Sequence, residues 1–196
     1  MIAGGGIGGL FTAVTLRNEG YDVAVFEKTS EYRSFGGPIQ IASNGLEAVR
    51  RIDRHVYDRI LEEATCLGDR VNGLKDGVSN EWFATFDLAT PAAARGQKPS
   101  VVIDRPVLQQ ILLDEVGDCL TMGQEVVGCE KRVSGDGVSG VLADGTQLEA
   151  DLLIGSDGLR SKMRDVVSPD VGEPAWSGYT CFAAIAYTVP ADIKEV

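Results

Sequence analysis

The chain has 196 residues, of which 44% are hydrophobic and 24% charged, and its formal net charge is −11. This length suits one full domain with part of a second, and the acidic balance argues against nucleic acid and anionic lipid as partners. The spacing of Cys66, Cys119, Cys129 and Cys181 matches no zinc or C-x-x-C pattern. We therefore expect reduced thiols and no metal site.

A glycine-rich turn at residues 4–9 separates a short first strand from a helix predicted over residues 10–19. A second predicted strand, residues 22–26, ends at Glu27. In a G-x-G-x-x-G turn the first glycine permits the tight turn, the second admits a pyrophosphate and the third lets helix pack on sheet. An acid about 20 residues further on accepts hydrogen bonds from the ribose of FAD or NAD. The predicted dinucleotide site comprises Gly4, Gly6, Ile7, Gly8, Gly9, Glu27 and Lys28.

The next segment is predicted to contain two helices and a β-hairpin. Its elements are a loop over 28–38, helices over 45–52 and 54–64, strands over 70–74 and 82–86, and a loop over 90–99. Ser43 and Asn44 are typical of an N-terminal cap for the first helix. Asp76 and Gly77 favour a turn between the two strands. We expect this hairpin layer, about residues 68–90, to be inserted among the nucleotide-binding elements.

The second half of the chain is predicted to return to sheet. Its elements are a strand over 101–103, a helix beginning at Arg105-Pro106, a β-meander of strands 125–132, 138–142 and 147–149, and a buried strand over 151–155. Proline favours the first turn of a helix, which places Arg105 at the helix entrance. The last strand leads into Asp157-Gly158 and another helix. The predicted fold class is α/β, with a Rossmann-like domain over 1–175 and the start of a β-sheet domain over 176–196.

Three motifs in this order resemble the FAD-dependent aromatic-ring hydroxylase class of flavoprotein monooxygenases. They are the glycine turn with Glu27, the helix start Arg105-x-x-Leu108, and Asp157-Gly158 within D-L-L-I-G-S-D-G-L-R-S-K-M-R. Further segments resemble members of the class that epoxidise carotenoids. These segments are residues 37–41, 70–79, 86–87, 90–92, 108–112 and 179–181. The likeness covers nearly the whole chain and implies an FAD-binding domain followed by a substrate-binding sheet.

The resemblance also implies roles for residues outside the glycine turn. Arg105 matches an arginine that contacts the flavin dinucleotide, and Asp157 and Gly158 match a second fingerprint near the FAD pyrophosphate. Arg33, Gly36, Gly37 and Gln40 match a segment that passes beside the flavin ring. Alternatives remain: Arg105 as a solvated arginine at a helix start, Asp157 as a helix cap, and Arg33 as a surface loop charge. His55 is interpreted as a surface helix residue.

By resemblance, NADPH or another reductant delivers electrons to FAD, and O₂ adds to the flavin C4a. The resulting hydroperoxide transfers one oxygen atom to a ring double bond, here of an apolar carotenoid. No side chain is expected to act as a catalytic group, because the cofactor carries the chemistry. One rival is a phenolic hydroxylase of the same fold. The other is a non-catalytic fragment that only binds a dinucleotide.

The family's third flavin motif, a Gly-Asp pair, is expected beyond residue 196, so we expect an N-terminal portion of a longer enzyme. Only Met1-Ile2-Ala3 precedes the glycine turn, where a longer first strand is usual, and we expect a trimmed N-terminus without a transit peptide. The resemblance implies a plastid location. It also leaves room for peripheral membrane contact in the full-length protein.

Overall fold

A computed structural model gives the fold over residues 1–34, 36–132, 135–170, 172, 174–180 and 182. The chain divides into two compact units. Unit 1 comprises residues 1–34 and 109–180, and unit 2 comprises residues 35–108 and 181–196. Most of the predicted second domain, residues 176–196, lies outside the described residues, as does Cys181. The boundary at residue 176 therefore stays a prediction.

The elements are numbered here in chain order. The strands are β1 Ile2–Ala3, β2 Val25–Glu27, β3 Pro38–Ile41, β4 Thr65–Cys66, β5 Asn72–Lys75, β6 Trp82–Phe86, β7 Val101–Asp104, β8 Leu120–Met122, β9 Val126–Lys131, β10 Val138–Leu142, β11 Gln147–Ala150 and β12 Ile154–Gly155. The helices are α1 Ile7–Asn18, α2 Ser43–Ile52, α3 Arg54–Glu63, α4 Thr90–Ala93, α5 Arg105–Val116 and α6 Lys162–Val167. A 3₁₀ turn, Gly117–Cys119, follows α5.

Unit 1 is built on a parallel sheet with the strand order β12-β1-β2-β8. Ile2 lies between Ile154 on one side and Val25 on the other. The chain thus passes from β1 to β2 in one direction and later returns to pair with the opposite edge of β1. Ligands of such sheets bind where the strand order reverses, at the carboxyl ends of the strands. The glycine turn follows β1 at this point.

Helix α1 begins three residues before its predicted start, because the glycine turn itself forms the first helical turn. Its N-cap is Gly6, whose carbonyl accepts the N–H of Leu10. Leu10, Ala13 and Val14 are buried on the side of α1 that contacts β1 and β2. The helix stops as predicted at Gly20, which adopts a φ of +84° that favours glycine. The prediction of α1 is thus confirmed except for its first turn.

The predicted β-meander is confirmed. Strand β10 pairs antiparallel with β9 on one side and β11 on the other. Val126 and Leu142 from this layer pack with Ala3 and Met163 in one buried cluster. The meander therefore closes the core of unit 1 between the first strand and α6.

In unit 1 one predicted strand is shorter than expected, and another strand was missed. The strand predicted over residues 151–155 is only two residues long, and Leu152 is 62% exposed. Its partner β1 offers only Ile2 and Ala3, so pairing extends no further. Strand β8 was not predicted, because a strand of three residues gives too short a pattern. Its pairing with β2, which sets Met122 opposite Glu27, is decided by tertiary structure.

In unit 2, α2 and α3 pack together, and α3 contacts β7 of an antiparallel sheet with the order β3-β7-β4. Strand β3 lies partly inside the predicted loop, since its pairing with β7 begins at Pro38. The predicted cap of α2 is wrong, because Ala42 is the N-cap, although the Asn44 Oδ1 accepts the Gly45 N–H at 2.9 Å within the first turn. Asp53 instead caps α3 by accepting the Val56 N–H at 3.0 Å. Short helix α4 interrupts the loop predicted over 90–99.

The predicted hairpin is confirmed as β5 and β6, joined by a turn at Asp76. The Asp76 carboxylate accepts the N–H groups of Val78 and Ser79, and these bonds hold the pKa of that carboxyl below its usual range. Cys66, Cys119 and Cys129 are free thiols. Across the residues described, no helix has the length and apolar character needed to cross a membrane. That part of the chain also holds no cluster of His, Cys, Asp and Glu suited to a metal ion.

Candidate functional site

Steric requirements fix the backbone of the glycine turn. Gly4 has a φ of +100°, and a Cβ atom there would collide with the Ser156 carbonyl group. A Cβ at Gly9 would collide with the Gly4 carbonyl oxygen. A Cβ at Gly6 would meet nothing within 4 Å. Gly4 and Gly9 are therefore needed for the turn to pack, whereas Gly6 leaves open space in front of the turn.

Glu27 ties the end of β2 to the glycine turn. It is 9% exposed, and its Oε2 accepts the Gly5 N–H at 2.7 Å. Its Oε1 accepts the Thr29 N–H at 3.0 Å. Each carboxylate oxygen can accept a further hydrogen bond. The predicted ribose contact of Glu27 thus remains compatible with this arrangement, and stays a prediction.

Gly5 is a residue that sequence reasoning missed, because it occupies the unspecified position of the motif. A Cβ there would lie 2.5 Å from Tyr32 Oη, 2.9 Å from Glu27 Cβ and 3.2 Å from Leu120 Cδ1. Only glycine fits among these three side chains. In the sequence, the need for glycine at this position was indicated only by the unbroken run of three glycines at residues 4–6.

A cavity of about 170 Å³ opens in front of the turn within unit 1. Six of the predicted site residues line it: Gly4, Gly6, Glu27, Lys28, Asp157 and Gly158. They come from the ends of β1 and β2 and from the loop after β12. The parallel sheet therefore brings together residues that lie more than 120 positions apart in sequence.

The charged side chains that line this cavity are three carboxylates and three cations, and not all of the cations are paired. Lys162 Nζ lies 3.2 Å from Glu125 Oε1, and the Glu27 carboxylate faces backbone amides. Lys28 and Arg160 also line the cavity and have no ion-pair partner among the residues described. Two cations thus remain available to a ligand. Arg160 was not predicted, because a single arginine in a loop carries no sequence pattern.

Helix α1 adds unpaired backbone donors at its N-terminus, where Gly6 lines the cavity. The amides of Gly6, Ile7 and Gly8 precede the first intrahelical bond, and no acceptor for them occurs in the described part of the chain. Such amides, with the helix dipole, favour a phosphate group. The open space at Gly6 and these donors therefore fit the diphosphate of a dinucleotide.

Asp157 lines the cavity and also accepts backbone N–H groups in the first turn of α6, whose N-cap residue is Ser161. Its Oδ2 accepts the N–H groups of Lys162 at 2.7 Å and Met163 at 3.1 Å, and its Oδ1 accepts Ser161 Oγ–H at 2.6 Å. Burial alone would raise the pKa of this carboxyl, but these hydrogen bonds outweigh it and the pKa lies below its usual value. The capping alternative thus describes its protein contacts, while its part in cofactor binding stays a prediction.

Seven predicted site residues are not among the described residues that line the cavity: Ile7, Gly8 and Gly9, which begin α1, and Arg33, Gly37, Gln40 and Arg105. Arg33 is exposed in unit 1, whereas Gly37, Gln40 and Arg105 belong to unit 2. Arg105 begins α5 as predicted and is exposed, with its side chain packed against Gly36. Gln40 lies opposite Val102 in the β3–β7 pair. Their flavin contacts stay predictions.

Comparison with known proteins places these features in a family context. Residues 2–40 match the model of the NAD(P)-binding Rossmann-like domain. The chain is 45% identical over 200 residues to a chloroplastic zeaxanthin epoxidase of Oryza sativa subsp. japonica. This alignment covers 100% of this chain and 30% of that protein. It is 47% identical over 196 residues to the zeaxanthin epoxidase of Arabidopsis thaliana, over 97% of this chain and 29% of that protein. The chain therefore spans about a third of the length of these relatives.

Two solved structures share the fold. Klebsiella pneumoniae HpxO, complexed with FAD and uric acid, is 31% identical with a TM-score of 0.71, over 84% of this chain and 40% of that one. The tetrameric form of 2-methyl-3-hydroxypyridine-5-carboxylic acid oxygenase is 28% identical with a TM-score of 0.68, over 85% of this chain and 41% of that one. The predicted Rossmann-like α/β fold class is confirmed. The chain is thus a homologue, along its whole length, of part of the zeaxanthin epoxidases, with a fold shared by FAD-containing oxygenases.

Proposed function

We propose that this chain is the FAD-binding part of a monooxygenase that epoxidises a zeaxanthin-type carotenoid in the plastid. The observation that carries the proposal is the cavity in front of Gly6, where free helix amides, two cations and the Glu27 carboxylate meet. This donor set suits a diphosphate and its adjoining ribose. Sequence identity of 43–47% to zeaxanthin epoxidases supports the choice of reaction.

Within this proposal, each group at the cavity has a distinct task. The amides of Gly6, Ile7 and Gly8 bind phosphate oxygens, and Lys28 and Arg160 balance the negative charge. Glu27 accepts hydrogen bonds from the ribose hydroxyls and continues to accept the Gly5 N–H. Asp157 keeps α6 in place beside the diphosphate through its bonds to Lys162 and Met163.

FAD, when bound, supplies the activation of O₂. The balanced reaction places one oxygen atom of O₂ across a ring double bond, while two electrons and two protons convert the other to water. NADPH or another reductant supplies the electrons. An apolar carotenoid requires no charged anchor on the protein, which agrees with a mechanism in which side chains position groups and exclude water.

Hydroxylation of a polar aromatic ring is the second candidate. HpxO was crystallised with uric acid, a small polar molecule, and has the same fold. Its identity of 31% is lower than the 45% of the rice epoxidase, which is why we place epoxidation first. A chain that binds a dinucleotide without redox chemistry is the third alternative.

The two parts of the proposal can be tested separately. The purified chain is first titrated with FAD, and flavin absorption bands that stay with the protein after gel filtration are expected. A chimera in which this chain replaces the matching segment of the rice zeaxanthin epoxidase is then given zeaxanthin, a reductant and ¹⁸O₂. One labelled oxygen atom in the carotenoid product is expected. A colourless chain would defeat the flavin proposal. If the chimera leaves zeaxanthin unlabelled but incorporates ¹⁸O into a phenol supplied in its place, the second candidate is favoured.

A further inference from the structure

Tyr32 contacts the glycine turn through a hydrogen bond to Gly5. Its Oη–H donates to the Gly5 carbonyl oxygen at 2.7 Å, across 27 residues of sequence. The phenol is partly buried, and burial followed by the nearby Glu27 charge raises its pKa to about 12. It therefore stays a neutral hydrogen-bond donor at every physiological pH.

Gly5 is thus held on both of its peptide groups. Its N–H is bound by Glu27 at 2.7 Å, and its carbonyl oxygen is bound by Tyr32. A trans peptide is planar, with its C=O and the following N–H pointing in opposite directions. Because the Gly5 carbonyl and the Gly6 amide share one peptide plane, the Tyr32 bond also sets the direction of the Gly6 N–H.

The direction of the Gly6 N–H matters because Gly6 lines the cavity. Gly4 and Gly6 line the cavity, whereas the described lining residues do not include Gly5 or Tyr32. The Gly5 carbonyl oxygen is bonded to Tyr32, which is outside that lining, and the Gly6 N–H lies on the opposite side of the same peptide plane. We infer that Tyr32 is a positioning residue for diphosphate binding, which orients the Gly6 amide without touching the ligand. This inference rests on the proposed dinucleotide site.

The test is Tyr32→Phe, which removes the hydroxyl and keeps the ring that packs against Gly5. The probes are ADP and adenosine, titrated into the full ¹⁵N-labelled chain and followed by NMR. Loss of one oriented hydrogen bond is expected to weaken ADP binding roughly three- to tenfold. Adenosine has no phosphate, so its binding should stay within about twofold. Tyr21→Phe is the matched control, because Tyr21 is 65% exposed in the same unit.

Each outcome is decisive for one proposal. If the wild-type chain binds neither ADP nor FAD, the dinucleotide site itself is refuted. If it binds ADP and Tyr32→Phe binds equally well, or loses ADP and adenosine in equal measure, the positioning role is overturned. Should Tyr32→Phe not fold, the wild-type chain provides the second measurement. The Gly6 amide must then shift on adding ADP, and an unmoved Gly6 signal would contradict the inference.

Discussion

Replacement of Glu27 should cost stability even without a ligand, because the carboxylate satisfies two backbone amides. Gly5 is buried, so its N–H would lose its acceptor in Glu27→Ala, whereas Thr29 is exposed and can bond to water. A buried donor left without a partner, together with a lost charged hydrogen bond, costs about 3 kcal/mol. Glu27→Gln keeps one side-chain oxygen for Gly5, and we expect it to cost about 1 kcal/mol.

The free energy of unfolding is measured in urea for both variants, with Glu130→Ala as the control. Glu130 is exposed on β9, and its substitution should change stability by less than about 0.5 kcal/mol. Thermal melting should show the same ranking, with a decrease of about 6–12 °C for Glu27→Ala. The FAD affinity of that variant should also fall, by about 1–3 kcal/mol. A Glu27→Ala chain as stable as the control would refute the reasoning from these two bonds, and unchanged FAD affinity would count against the ribose role.

Further predictions concern the turn and its two titrating neighbours. Gly6→Ala should leave urea stability within about 1 kcal/mol, because its Cβ meets nothing, yet weaken FAD binding at least about tenfold by filling the space for the diphosphate. Gly77→Ala, equally open in the hairpin turn, should change neither measurement. Gly9→Ala should destabilise the chain by about 3 kcal/mol through collision with a backbone carbonyl, so native-like melting would contradict the close packing of α1 on the turn. Asp157 has a depressed pKa in the folded state, so its stabilising contribution should be present above about pH 4 and be lost as pH falls further. The difference in unfolding free energy between wild type and Asp157→Asn should therefore shrink in acid, and a constant difference would be the contrary result. Tyr32 ionises at about pH 12 when folded and at about pH 10 when unfolded, so stability should fall as pH rises between these values. Ultraviolet titration should show one late-ionising phenol that Tyr32→Phe removes, and no such difference would contradict the buried contact.

The sequence predicted well those elements whose signals are local. The hairpin around Asp76, the helix start at Arg105 and the three strands of the meander all appear where turn residues and apolar periodicity place them. Elements that depend on a distant partner were missed or mis-sized. Strand β8 is defined by its pairing with β2, and β12 is limited by the two residues of β1. Local patterns carry no information about such partners.

At the candidate site, too, features with a local sequence signal were predicted and those that depend on distant partners were not. The glycine spacing and Glu27 could be predicted from the sequence, because each position of that turn has its own steric or chemical requirement. The convergence of Lys28, Asp157 and Arg160 on one cavity was decided by the parallel sheet, which brings the ends of β1 and β2 and the loop after β12 together. Only the tertiary structure could place Tyr32 beside Gly5, because a hydrogen bond across 27 residues leaves no periodic pattern in the chain.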